Sequence, residues 1–428
     1  MIKTSLLLCQ FSSLIACFVM HSVAAAEYKV DGLLDLRMSY VDSLGKGYLN
    51  SGQGKSGLDD GLHFSVAQLG ADLSVSWESG VSLHGVINSY PEVSGGGEGS
   101  VLGITEAYLK YRSLPNSLGY RFQTKLGLFY PDISLENNAY AWASKDTLDS
   151  STLNTWIGEE IRVLGTEFKL TRLGRINNDK YDLSLSATAF INNDPAGALL
   201  AWHGWTTSNR QTVWNEERPF PWFPARESGQ ALGGQADKSD PFLEIDNRVG
   251  FHVKSEWKLH RKGEVSIGYY DNRAKPYEVI NGQYGWRTKF YHLGTRWRFS
   301  DQLSLTAQYL AGRTLMQSGA REDIVNNDYD SAFVALHYNW EKLISNKKHK
   351  STLRIEDFSV TDNDNTLGDN NNEDGQAVTV NHHYHFSKYW FLSAEFRLID
   401  SQRPARVYIN QPTELIERNW QLASRYYF

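Results

Sequence analysis

The residues that could act on a solute stand at alternating positions of short, otherwise apolar segments. By parity, Arg37, Lys110, Arg112, Arg121, Lys125, Arg162, Lys254, Lys258, Arg296, Arg298, Arg354, Arg397 and Arg425 share the polar faces with Asp35, Asp72, Glu106, Glu160, Glu256, Glu356 and Glu395. Bases outnumber acids on these faces. Fixed charges of this kind select ions rather than break bonds. Nothing here makes a nucleophile. There is no G-x-S-x-G motif and no Ser–His pairing that can be placed. Both cysteines, Cys9 and Cys17, lie in the apolar N-terminal stretch, so the rest of the chain has no thiolate, disulfide or cysteine metal site. No cofactor is expected. The formal net charge of −6 argues against a nucleic-acid partner.

The elements that would position these charges are strands. Leu34, Leu36, Met38 and Tyr40 alternate with Asp35, Arg37 and Ser39. Tyr181, Leu183, Leu185, Ala187, Ala189 and Ile191 share one face of another segment. Sixteen such segments begin near residues 28, 64, 81, 103, 120, 158, 181, 246, 264, 287, 303, 331, 351, 375, 389 and 414. Mostly short connections fall at 78–80, 113–119, 171–180, 260–263, 300–302, 341–350 and 387–388. They alternate with longer ones at 43–63, 91–100, 130–157, 193–245, 272–286, 313–330, 361–374 and 400–413.

This rhythm predicts an all-β transmembrane antiparallel barrel of about 16 strands, with short periplasmic turns and long extracellular loops. No segment after the N-terminal stretch is long and apolar enough for a membrane helix, and a closed barrel also satisfies every backbone hydrogen bond in lipid. Tyr111, Tyr120, Trp257, Trp297, Phe299, Tyr338, Trp340, Phe386, Tyr389 and Trp390 crowd the short-turn ends, where an interfacial girdle belongs. The competing reading is plain β-propensity of aromatics.

Residues 1–26 read as a signal peptide: Lys3, an apolar run from Leu6 to Val19, and Ala24-Ala25-Ala26 as the cleavage site. Leu14-Ile15-Ala16-Cys17 also fits a lipoprotein box, although Phe18-Val19-Met20 continues the apolar run beyond it. Residues 27–428 would form the barrel, placing it in the bacterial outer membrane in contact with its lipid. Trp420, Leu422, Ser424, Tyr426 and Phe428 share one face of the last segment. A terminal Phe with an aromatic two positions earlier resembles the signal read by the outer-membrane barrel-assembly machinery, an expected partner.

Three stretches resemble the phosphate-selective porin O and P family and its sixteen-stranded porin relatives. They are T-E-A-Y-L-K-Y-R at Thr105–Arg112, F-Q-T-K-L-G-L-F-Y-P-D-I-S-L-E-N-N at Phe122–Asn138 closing with W-I-G-E-E at Trp156–Glu160, and G-D-N-N-N-E-D-G-Q-A-V-T-V at Gly368–Val380. The resemblance implies a water-filled channel for small polar solutes, a homotrimer, and one loop folded into the lumen. Loop 130–157 holds the matching position. Asp132, Glu136, Asp146 and Asp149 would then face the basic wall across an eyelet and set up a transverse field. The alternative is that these charges pair. Lys145 is the lone base of this loop, so phosphate selectivity is not expected.

Loop 193–245 carries Trp202, Trp205, Trp214, Phe220, Trp222 and Phe223. These could stack on sugars, or pack the loop on itself as a plug or adhesive surface. Asp362, Asp364, Asp369, Glu373 and Asp374 make an oxygen-rich run, but its spacing is not that of a twelve-residue calcium loop. His382, His383 and His385 alternate faces and cannot converge on a metal without a bulge. The alternatives to a channel are a plugged structural or adhesive barrel, and an outer-membrane barrel enzyme.

Overall fold

A computed structural model of the chain describes residues 26–91, 101–340 and 347–428. The expected signal peptide falls outside them but for Ala26, as do most of the connections at 91–100 and 341–350. The described residues form one closed antiparallel barrel of sixteen strands. These are β1 (Glu27–Asp42), β2 (Gly61–Ser76), β3 (Val81–Tyr90), β4 (Val101–Arg112), β5 (Tyr120–Phe129), β6 (Val163–Arg172), β7 (Tyr181–Ile191) and β8 (Gly250–Leu259). The second half comprises β9 (Gly263–Asp271), β10 (Arg287–Arg298), β11 (Leu303–Gln317), β12 (Asp323–Trp340), β13 (Lys348–Asp362), β14 (Glu373–His385), β15 (Trp390–Gln402) and β16 (Glu414–Tyr427).

The barrel is inverted relative to a water-soluble protein. On β1, Leu36, Met38 and Tyr40 are 43%, 37% and 48% exposed, whereas Asp35, Arg37 and Ser39 are buried. That is the alternation expected of apolar side chains facing lipid and polar ones facing a lumen. Tyr111, Tyr120, Phe299, Tyr338, Trp340, Phe386, Tyr389 and Trp390 all lie exposed on the outside near the short turns.

The last strand closes the barrel by pairing with the first, from Leu33 opposite Tyr427 to Asp42 opposite Arg418. Phe428 extends the ladder. Its N–H donates to the Gly32 carbonyl (3.2 Å), and Gly32 N–H donates to the Phe428 carbonyl (2.9 Å). A Cβ at position 32 would stand 2.2 Å from the Phe428 ring, so the ring can lie over the backbone there because residue 32 is glycine.

Two expectations need correction. The sixth strand starts at Val163, not near 158, because Thr152–Glu160 forms a helix, α1. Ser151 caps it, accepting from Asn154 N–H at 3.3 Å. Glu160 and Arg162 therefore do not belong to a strand wall. The connection at 313–330 is also mostly strand: β11 runs to Gln317 and β12 resumes at Asp323, leaving a protruding hairpin.

Alternation also changes along the strands. On β13 the inward residues are Arg354 and Glu356, then Phe358 and Val360 toward the long-loop end. Phe190, Tyr270, Phe290, Leu310 and Tyr329 do the same on neighbouring strands, and together with Trp156 and Trp205 they form one hydrophobic cluster. Folded loops thus fill the long-loop half of the barrel.

Candidate functional site

The loop after β5 crosses the barrel interior and is fastened to opposite walls. On one side Ala141 N–H donates to Asp72 (2.9 Å), while Gln68 (3.0 Å) and Gln211 (2.9 Å) donate to the Ala141 carbonyl. Register shifts after Asp35 in β1 and after Val86 in β3 accompany this arrangement, with Gln68, Asn88 and Thr105 all buried at the contact. The wall opposite β2 holds the loop at Leu135, whose N–H donates to Gln308 (2.8 Å) and whose carbonyl accepts from Arg296 (3.1 Å). Beside β2, on β1 and β16, Arg37 (2.8 Å) and Arg425 (2.8 Å) donate to the Leu148 carbonyl, and Leu148 N–H donates to Glu395 (2.6 Å). Thr152 N–H, at the start of α1, donates to Glu356 (2.7 Å).

The four carboxylates within residues 130–157 all meet wall cations. Asp149 receives Arg37 and Arg397, both at 2.6 Å, and Gln421 at 2.8 Å. Glu136 pairs with Arg354, and Asp146 with Lys350. Asp132 lies 3.0 Å from Lys254 and 3.4 Å from Lys169. The expected field across an eyelet is therefore replaced at these residues by direct ion pairs. Parity could place Arg37 and Arg397 inward but could not measure the gap they face. Burial alone would raise the Asp149 carboxyl, but Arg397 and Arg37 outweigh it and hold it well below the usual range. The same contest, with Lys350 and His337 as the lowering charges, leaves Asp146 at about 2.

The remaining candidates lie elsewhere. Lys110 and Lys125 stand directly opposite each other on β4 and β5, and Lys125 is 3.6 Å from Glu167. Arg112 and Arg121 sit at the short-turn ends of the same strands. Arg296 contacts Glu264 at 3.1 Å and also donates to the Leu135 carbonyl. Arg298 donates to the Arg261 carbonyl at 3.0 Å. Arg162 is buried under the long loops, donating to the Thr212 carbonyl (2.6 Å) with its guanidinium 3.9 Å from the Phe242 ring centre.

Several further charged residues of the interior are not marked by the expected alternation. Lys169 follows from outward Phe168 and Leu170 once the strand starts at Val163. Lys350 precedes the expected strand start. Lys55, Glu373 and Arg403 sit in or beside the long connections at 43–63, 361–374 and 400–413, yet are buried together: Lys55 pairs with Glu373, and Arg403 with Glu373 at 3.1 Å.

Over the long-loop mouth lies the segment between β7 and β8, containing a second helix, α2 (Ala198–His203). Charged groups hold both of its ends. Glu160 accepts from Gly197 and Leu199 N–H, each at 3.0 Å. Lys55 (3.1 Å) and Arg403 (2.8 Å) donate to the His203 and Ala201 carbonyls. Burial pushes the Glu160 carboxyl up to about 7 despite those N–H groups. Trp202 packs on Phe220, Phe223 and Trp286 with ring centres 4.5–5.1 Å apart. These rings are buried and offer no face to a sugar; Trp222 is the exposed one, at 48%.

The oxygen-rich run folds on its own backbone. Asp362 accepts from Asp364 (3.1 Å) and Asn371 (2.9 Å) N–H, and Asp364 from Thr366 N–H (2.8 Å). Among the described residues the carboxylate trio close enough to share a cation is a different one, Asp194, Glu244 and Asp246. Its members already accept backbone N–H groups. His382 meets His349 (3.1 Å) and Ser351 (2.9 Å), whereas His383 meets Ser393, so neighbouring histidines do take different partners.

Two cavities flank the crossing loop. The larger, about 610 Å³, lies on the short-turn side against Lys258, Arg296, Arg298 and Arg354. The smaller, about 70 Å³, lies toward the long loops between Arg37, Asp149, Arg397 and Arg210.

No family model and no curated protein matches the sequence, so the resemblance to the phosphate-selective branch is carried no further. Solved structures do match. The outer membrane channel DcaP of Acinetobacter baumannii aligns with a TM-score of 0.53 at 15% identity, over 95% of this chain and 99% of that one. The anion-selective porin from Comamonas acidovorans aligns with a TM-score of 0.51 at 12% identity, over 94% and 100%. At these identities the likeness is one of fold, and the fold is that of a sixteen-stranded outer-membrane porin.

Proposed function

We propose that this chain is an outer-membrane porin that lets small polar or charged solutes diffuse passively, with a preference for anions. In this reading it is exported by its signal peptide, residues 1–26, inserted by the barrel-assembly machinery, and works as a homotrimer without catalysis. The observation that carries it is the inversion of the barrel, apolar outside and ionic inside. Loop 130–157, together with α1, acts as the constriction, and Arg37, Asp132, Glu136, Asp146 and Asp149 set its width through their ion pairs. With those acids neutralised by wall cations, and Lys125 and Arg296 held by Glu167 and Glu264, the charge left on the short-turn side is basic: Lys110, Arg112, Arg121 and Arg298. A basic lining favours anions.

A second reading, a plugged barrel, is favoured by the packed segment between β7 and β8. One experiment separates the two. Purified protein is inserted into planar bilayers beside a variant in which residues 193–247 are replaced by a tight turn. The ends of β7 and β8 already pair, at Phe190 and Gly250, so a turn can join them. The channel reading expects ohmic unit steps from the native chain. Silence from the native chain with conduction from the variant would establish the plug, and silence from both would remove the channel reading.

A further inference from the structure

The 610 Å³ cavity is lined by eight basic and three acidic side chains. Each acid already has a cation. Glu136 pairs with Arg354, Asp146 with Lys350, and Glu264 with Arg296 (3.1 Å) and Lys258 (3.5 Å). Lys145, Arg261 and Lys262 line the same cavity and have no acidic partner among the described residues. All three are exposed to water. They come from separate parts of the chain. Lys145 is on the crossing loop, and Arg261 and Lys262 are in the turn between β8 and β9, where Arg261 takes a left-handed conformation (φ 63°). Arg298 adds a fourth charge, facing only Asp301 at 4.0 Å. The sequence shows only the short basic run Lys258-Leu259-His260-Arg261-Lys262; the barrel brings Lys145 and Arg298 to it.

A concave wall with an excess of one sign concentrates counter-ions. Each exposed cation alone binds a carboxylate weakly. A compact molecule with several anionic groups engages them together, and each later contact then forms at high effective concentration. The volume is that of a small-molecule site. We propose that this vestibule binds a multivalent oxyanion, carrying two or more carboxylate or phosphate groups, that enters from the short-turn end. The site rests on the channel reading only for its biological use. Binding itself does not require conduction.

The test is calorimetric titration of the full-length barrel, folded in detergent at low ionic strength, with citrate and separately with pyrophosphate. At least one should bind, more weakly as salt is added. Replacing Lys145, Arg261 and Lys262 together by Gln should weaken binding about tenfold. The single variants K145Q and K262Q, each losing an exposed side chain, should show intermediate losses and keep the test open if the triple variant misfolds. Binding of citrate alone or pyrophosphate alone names the preferred group and supports the site. No binding of either, or binding unchanged by the substitutions, overturns it. A barrel that binds citrate but carries no current would refute the channel and leave the site standing.

Discussion

Asp149 sits between two guanidiniums, with Arg37 and Arg397 both at 2.6 Å and all three side chains nearly dry. Arg37 keeps Asp35 as a second partner, at 2.8 Å, whereas the ion pair of Arg397 is with Asp149. Asp149→Asn therefore strands a buried charge, which should cost about 3–5 kcal/mol of loop docking. Asp132→Asn removes a carboxylate that is 36% exposed and leaves the buried Lys254 its second partner, Glu256 at 3.6 Å, so it should cost about 1 kcal/mol or less. The temperature at which the barrel loses its compact migration in semi-native electrophoresis should fall much further for the first variant than for the second. Equal shifts would contradict the assigned burial. At this scale the sequence was half readable. Alternation pointed Arg37 and Arg397 inward, but their partner lies 112 and 248 residues away along the chain. No local pattern reports whether such groups touch or face each other across water.

At the scale of elements, strands were legible and folded loops were not. A period of two is a strong local signal, and it located all sixteen strands to within a few residues, except at the start of the sixth and in the extended hairpin of β11 and β12. Helix α1, capped by Ser151, occupies the place where the alternation expects the sixth strand to begin, near 158. The loop between β13 and β14 is an oxygen-rich acidic run in sequence, yet Asp369 is buried, with Trp202 Nε1 donating to it at 3.4 Å. Burial first, then Asp364, push its carboxyl up to about 8, while Trp202 and Arg403 work the other way and Asp362 adds to the rise. The sign follows from linkage. An undocked loop loses this proton near pH 4 and the docked loop keeps it to about pH 8, so docking weakens as pH rises through that window and changes no further above it. Limited proteolysis within 363–372, scaled to cleavage of the denatured barrel, should be faster near pH 8 than near pH 5. Asp369→Asn should flatten the difference. Equal cleavage of the native loop at both pH values would contradict it.

At the scale of the whole molecule, the barrel closes where its two ends meet, with Phe428 laid over Gly32 beside the aromatic girdle. Closure removes both sheet edges and fixes which side every charge faces. The acids of the crossing loop lie against the wall, and the cations of the short-turn side remain in water. Net charge gave no hint of this, because the chain as a whole is acidic at −6. The central claim is a conducting lumen whose open charge is positive. The reversal potential of purified protein in a planar bilayer under a KCl gradient tests it most directly. The potential should have the sign of chloride moving more freely than potassium. A potential of the opposite sign, or no current from folded protein, would contradict the account.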